Sequence, residues 1–154
     1  MRGVIALVLL AVVLAGCSSL KERTVAKPDV FAGIRVIQVE DKTSPILLRA
    51  SGAGLVAELV GEALKGNGYQ TCSAPCDADA TATVKVTTFT NRRSVDHIHL
   101  SPARVSVIAF NFQVRDKTGA VLMETESKKK SDMHQRDLAA RLVEDLAQKI
   151  PTTK

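Results

Sequence analysis

The chain has 154 residues, 21 lysines and arginines against 16 acids for a formal charge of +5, and an aromatic set of no Trp, one Tyr and four Phe. That length supports one ordinary domain. An apolar fraction of 45% excludes an intrinsically disordered chain, a collagen and a polytopic membrane protein.

Arg2 gives a short positive start, and Val4 to Ala15 is an unbroken apolar run. A membrane-spanning helix needs ~20 apolar residues, so this run fits the apolar region of a signal peptide. It closes on Leu14-Ala15-Gly16-Cys17, followed by Ser18 and Ser19. The tetrapeptide resembles the lipobox of bacterial lipoproteins. The resemblance implies diacylglycerol on the Cys17 sulfur, cleavage between Gly16 and Cys17, and a further acyl chain such as palmitate on the new amine. One chain anchors marginally, whereas two or three hold firmly. By the sorting pattern of that group, Ser18 rather than Asp implies the outer membrane, facing the periplasm. The alternative is an ordinary secretory signal whose cysteine is incidental; both place the domain in an oxidising compartment. The organisation expected is a signal peptide over 1–16, a lipidated tether over 17–30, one domain over 31–151 and a tail over 152–154.

Ser18 to Val30 is polar and without period, as a tether should be. Ile34 to Val39 is rich in branched residues and predicts a strand, resumed at Ile46 to Leu48 after a turn at Pro45. From Ser51, the expected N-cap, the period becomes helical: Leu55, Val56, Leu59, Val60, Ala63 and Leu64 share a side until Gly66-Asn67-Gly68. Ala80 to Phe89 alternates as a half-buried strand. Val105 to Arg115 is a longer one, with Ile108, Phe110, Phe112 and Val114 on one face and Val105 and Val107 on the other, which suggests a bulge or burial on both sides. Asp116 to Gly119 makes a tight turn into a strand over Val121 to Ser127. A last helix is predicted from Asp132, capped by its carboxylate and by Gln135, with Leu138, Leu142, Val143, Leu146 and Ile150 as its stripe. The fold class expected is α+β: an antiparallel-containing sheet of about four strands with two amphipathic helices packed on one face, in β-α-β-β-β-α order.

The lipobox, the polar tether, the helix ending in Gly66-Asn67-Gly68-Tyr69, the long strand after Pro102 and the closing helix from Leu138 to Ile150 are together similar to small outer-membrane lipoproteins of the lipopolysaccharide-assembly and YajG-like kind. The resemblance implies a protein that binds other envelope components and does no catalysis.

Gly52-Ala53-Gly54-Leu55-Val56-Ala57 matches the dinucleotide-binding pattern G-x-G-x-x-A, whose helix N-terminus would meet a pyrophosphate. That fold needs several parallel strands, so a plain turn into a helix is preferred and no cofactor is expected. Cys72 and Cys76 flank a turn-prone segment and read as a structural disulfide, with a reactive redox pair as the alternative. His97 and His99 lie a strand's length, roughly 30 Å, from those cysteines, so no metal site is expected. No Ser-His-Asp arrangement or spaced carboxylate pair points to an enzyme. Positive charge is the informative feature. An antiparallel meander brings Arg92, Arg93, Arg104 and Lys128, Lys129 and Lys130 to one edge, together with His97 and His99. Such a patch would attract lipid phosphates, lipopolysaccharide or an acidic envelope protein; the alternative is a solvated hairpin tip. Nucleic acid is not an expected partner, since stacking aromatics are nearly absent.

Overall fold

The computed structural model describes residues 28–94 and 103–153. The signal peptide, Cys17, most of the tether, and His97 and His99 lie outside the described residues. A 3-10 helix, Pro28–Phe31, leads into β1 (Val36–Asp41), α1 (Pro45–Ser51), α2 (Leu55–Gly66), β2 (Gln70–Cys72), β3 (Ala80–Ser94), β4 (Ala103–Asp116), β5 (Val121–Ser131) and α3 (Gln135–Ala147). The strands form one sheet in the order β2-β1-β3-β4-β5. The meander β3-β4-β5 is antiparallel, whereas β1 runs parallel to both β2 and β3. The fold class is therefore met in outline, with a five-stranded mixed sheet in place of about four strands.

Two corrections concern the segment after β1. Ile46 to Leu48 is helical, not a resumed strand. Ser44 is extended (φ −61°, ψ 142°) and its hydroxyl accepts from the Leu47 N–H at 3.4 Å, while Pro45 occupies the first helical position, where its missing N–H costs nothing. Ser51 does not cap the second helix. It ends α1, its hydroxyl donating back to the Leu47 carbonyl, and Gly52 at φ 70° takes the left-handed conformation that stops a helix. In α2, Val56, Val60 and Leu64 are fully buried, as the period predicts. The cap of α3 is His134 rather than Asp132: its Nδ1 accepts from the Arg136 N–H at 3.4 Å. The α3 stripe of Leu138, Leu142, Val143 and Leu146 is buried, and Ile150 is buried just beyond it.

Helices α2 and α3 pack on each other and on one sheet face, α2 over β1, β2 and β3 and α3 over β3, β4 and β5. That face carries Ile37, Ala82, Val84, Val86, Phe89, Ile108, Phe110, Phe112, Val114 and Met123 in the core. Alternation gives the other face Gln38 and Glu40, Thr81, Thr83 and Lys85, Asn111 and Gln113, and Glu124 and Glu126. The bulge suggested for β4 lies instead in β3, where Val86 pairs with Phe110 and Thr88 with Ala109, leaving Thr87 extra. Val105 and Val107 are half-buried on the open face.

The two ends of the sheet differ. At the start of β1, the Phe31 and Tyr69 rings meet edge-on, with centroids 6.3 Å apart. Asn67 at the end of α2 donates its side-chain N–H groups to the Ala147 and Ile150 carbonyls (2.9 and 3.1 Å), and its own carbonyl accepts from the Thr153 N–H at 2.9 Å. The chain thus enters and leaves at this stapled end. The opposite end holds α1, the last residues of β3 and β5, and the first of β4.

Candidate functional site

At the end away from the staple the strands outrun their neighbours. β1 stops at the level of Val84, and β5 stops where Ser131 pairs with Ser106, so residues 92–94 and 103–105 pair only with each other. The predicted basic residues all fall here, inside strands that run farther than the sequence suggested. In register, Thr88, Ala109 and Lys128 form one row and Thr90, Val107 and Lys130 the next. Lys128 and Lys130 are exposed on the open face.

Lys129 corrects the expectation of a single patch. It is paired with Ile108, a core residue, so alternation turns it to the helix side. There its Nζ lies 3.9 Å from Oδ2 of Asp145 on α3, with both side chains largely exposed; such a pair contributes little. The lysine triplet is therefore divided between two faces. Arg92 stands opposite Val105, and Arg93 directly opposite Arg104 in the ladder.

Two hydrogen bonds fix the approach to α3: the Ser106 hydroxyl donates to the Met133 carbonyl at 2.7 Å and the Ser131 hydroxyl accepts from the Met133 N–H at 3.2 Å. The sequence reading missed α1 as part of this end because the branched run Ile46 to Leu48 resembles a strand. In the structure the Thr43 hydroxyl accepts from the Val86 N–H at 3.0 Å, which sets α1 beside β3 where β1 ends. Ile46 is 79% exposed there and Leu48 37%, and Arg49 is exposed.

The other candidates are structural. Gly52 and Gly54 join two helices, and Ala53 between them is fully buried, so the glycine pattern serves a tight helix junction. Cys72 and Cys76 are disulfide-bonded, with Cα atoms 6.4 Å apart, and close the loop after β2. That loop delivers Asp79, whose carboxylate accepts from the Arg35 and Val36 N–H groups at 2.9 and 3.0 Å. These donors, Val36 first, hold its carboxyl below the usual aspartate range. Lys117 in the β4–β5 turn reaches Asp77 and Asp79 at 3.1 and 3.8 Å, and its hydrogen bond to Asp77 raises its ammonium pKa. Among the described residues, no group of three or more His, Cys, Asp and Glu side chains could hold a metal ion, and no helix is long and apolar enough to cross a membrane.

Neither a protein-family model nor a curated protein matches the sequence. Solved structures do share the fold. The chain is similar to the PelC dodecamer from Paraburkholderia phytofirmans, at 15% identity and a TM-score of 0.62 over 80% of this chain and 91% of that one. It is also similar to a DUF330 protein from Xanthomonas campestris, at 11% identity and a TM-score of 0.50 over 84% of this chain and 82% of that one. A looser likeness, at 12% identity and a TM-score of 0.42 over 78% and 98%, is to a minor lipoprotein from Acinetobacter baumannii. At 15% and 11% identity, the first two likenesses concern the fold alone.

Proposed function

We propose that the protein is a non-catalytic lipoprotein of the outer membrane that binds an anionic envelope partner at the basic end of its sheet, lipopolysaccharide being the most concrete ligand. One observation carries the reading. Arg92 in β3 continues the alternation of Thr88 and Thr90, whose register rows run through Ala109 and Val107 to Lys128 and Lys130, while Arg93 and Arg104 pair at the same end of the ladder in the alternate rows. Cations gathered at one end in this way are what clustered phosphates would satisfy. The lipobox at Leu14 to Cys17 supports the anchor. The test is purification of the lipidated protein from detergent-solubilised envelopes, with lipopolysaccharide measured in the eluate. Enrichment that disappears when Arg92, Arg93, Arg104, Lys128 and Lys130 are changed to Gln supports the reading; equal amounts with both proteins refute it.

A second reading is a repeated subunit of an envelope transport or secretion machine. It is favoured by the fold likeness to PelC, which was solved as a dodecamer. Mass measurement of the lipidated protein in detergent micelles tests it: a many-copy assembly supports this reading, and a monomer at all concentrations refutes it.

A further inference from the structure

We propose that the basic end is a lipid-contact surface presented in trans, toward an anionic bilayer other than the one that holds Cys17. The inference rests on the reading of the chain as a lipid-anchored binder of anions, and it adds the direction in which the site faces and the chemistry it meets.

Direction comes from the topology. The tether reaches the domain at Pro28–Phe31, and Phe31 is fastened to Tyr69 at the end where β1 begins. β3 starts at the same end, since Ile37 pairs with Ala80. Lys130 lies at the level of Thr90, ten residues farther along β3, which is roughly 33 Å at the rise of a strand. Arg92 and Arg93 lie beyond it. The C-terminal residues Pro151 and Thr153 are bonded to Tyr69 and Asn67 at the tethered end, away from the basic one.

The chemistry favours a lipid surface over one acidic side chain. Lys128 and Lys130 are exposed point charges on an open face, suited to phosphates that are many and unordered. Elsewhere at the same end, where α1 packs against β3, Ile46 is 79% exposed and Leu48 37% exposed, and the exposed Arg49 follows Leu48 in sequence. Exposed apolar and cationic side chains at one end make a composition that settles at the headgroup boundary of an anionic membrane. The acids in this region include Glu126 on the open face two residues before Lys128, Asp41 at the end of β1, Asp145 beside Lys129, and Asp132 and Asp137 in the connection to α3 and its first turn. Against them stand Arg49, Arg92, Arg93, Arg104 and the three lysines, so the cations are in excess. Attraction of this kind is worth enough per lysine that removing two lowers affinity about thirty-fold.

The experiment anchors the full lipidated protein in phosphatidylcholine vesicles and adds a second population containing phosphatidylglycerol, with clustering followed by light scattering. Clustering is expected with the wild type, about thirty-fold weaker with Lys128→Gln/Lys130→Gln, and weaker with Ile46→Ser, at unchanged melting temperature. In a second arm phosphatidylglycerol is placed in the anchoring vesicles. If clustering then stops and Lys128 and Lys130 become protected from an amine-acylating reagent, the end folds back onto its own membrane; the trans orientation is wrong while the anion-binding function stands. If neither arm shows binding at low salt, both this inference and the function beneath it are overturned.

Discussion

Tyr69 donates its phenolic hydrogen to the Pro151 carbonyl at 2.7 Å, tying the end of α2 to the last residues of the chain. Its ring simultaneously covers Phe31, the first buried residue after the tether. Tyr69→Phe retains the ring contact and leaves the Pro151 carbonyl without this donor, so it should cost about 1 kcal/mol in denaturant unfolding. Burial raises the Tyr69 pKa above its ordinary value. The stability tied to its protonated form is complete below the unfolded pKa and is lost as pH rises through the folded one. The gap between wild type and Tyr69→Phe should therefore change in alkaline solution and stay constant near neutrality.

Two glycines of similar conformation should respond unequally to alanine. Gly68 (φ 94°) and Gly119 (φ 86°) are both left-handed, which charges any other residue about 1 kcal/mol. A Cβ on Gly119 meets nothing within 4 Å, whereas one on Gly68 collides with the Thr153 side chain. Gly68→Ala should thus be the more destabilising in thermal unfolding, and Gly68→Ala combined with Thr153→Gly should recover part of the difference. Equal losses for Gly68→Ala and Gly119→Ala would mean that the C-terminal segment is not held against α2.

Asp79 gives the fold an acid sensitivity. Its carboxylate accepts from the Val36 and Arg35 N–H groups, which depress its pKa. The stability it contributes is present above the unfolded aspartate pKa and is lost as pH falls through the folded one, in the acid range below about pH 4. Asp79→Asn should accordingly be less stable than wild type at pH 7, and the two curves should converge at low pH. A difference that persists undiminished into strong acid would contradict this.

Thr125 lies in β5 opposite Phe112, is 2% exposed, and its hydroxyl has no hydrogen-bond partner among the described residues. Thr125→Val keeps the shape and removes the cost of an unpaired buried hydroxyl. It should stabilise the domain by about 1 kcal/mol, measured as a raised denaturant midpoint at unchanged slope.

What the sequence made legible follows from periodicity. Val56, Val60 and Leu64, or Ile108, Phe110 and Phe112, repeat at spacings that only one element type satisfies, and burial obeyed them. α1 was misread because Ile46-Leu47-Leu48 has the composition of a strand, and the decision belonged to the Ser44 cap and Pro45 at the first helical position. β2 is three residues long, too short for any alternation to register. In the candidate site, the gathering of Arg92, Arg93, Arg104 and the lysines at one end was readable from the meander. The division of Lys128, Lys129 and Lys130 between two faces was not, because the sequence suggested that β5 ends at Ser127, whereas it runs through the triplet to Ser131.

That division supplies the most direct test of the central claim, that an anionic partner is met on the open face at the basic end. Binding of the mature protein to lipopolysaccharide-containing vesicles should be titrated at low and raised salt for the wild type, Lys128→Gln/Lys130→Gln and Lys129→Gln. Exposed charge changes should leave stability within about 0.5 kcal/mol, and raised salt should weaken wild-type binding by screening. The account predicts a large loss of affinity for Lys128→Gln/Lys130→Gln and little for Lys129→Gln, which faces Asp145 on the helix side. Equal binding by all three proteins at low salt would contradict it.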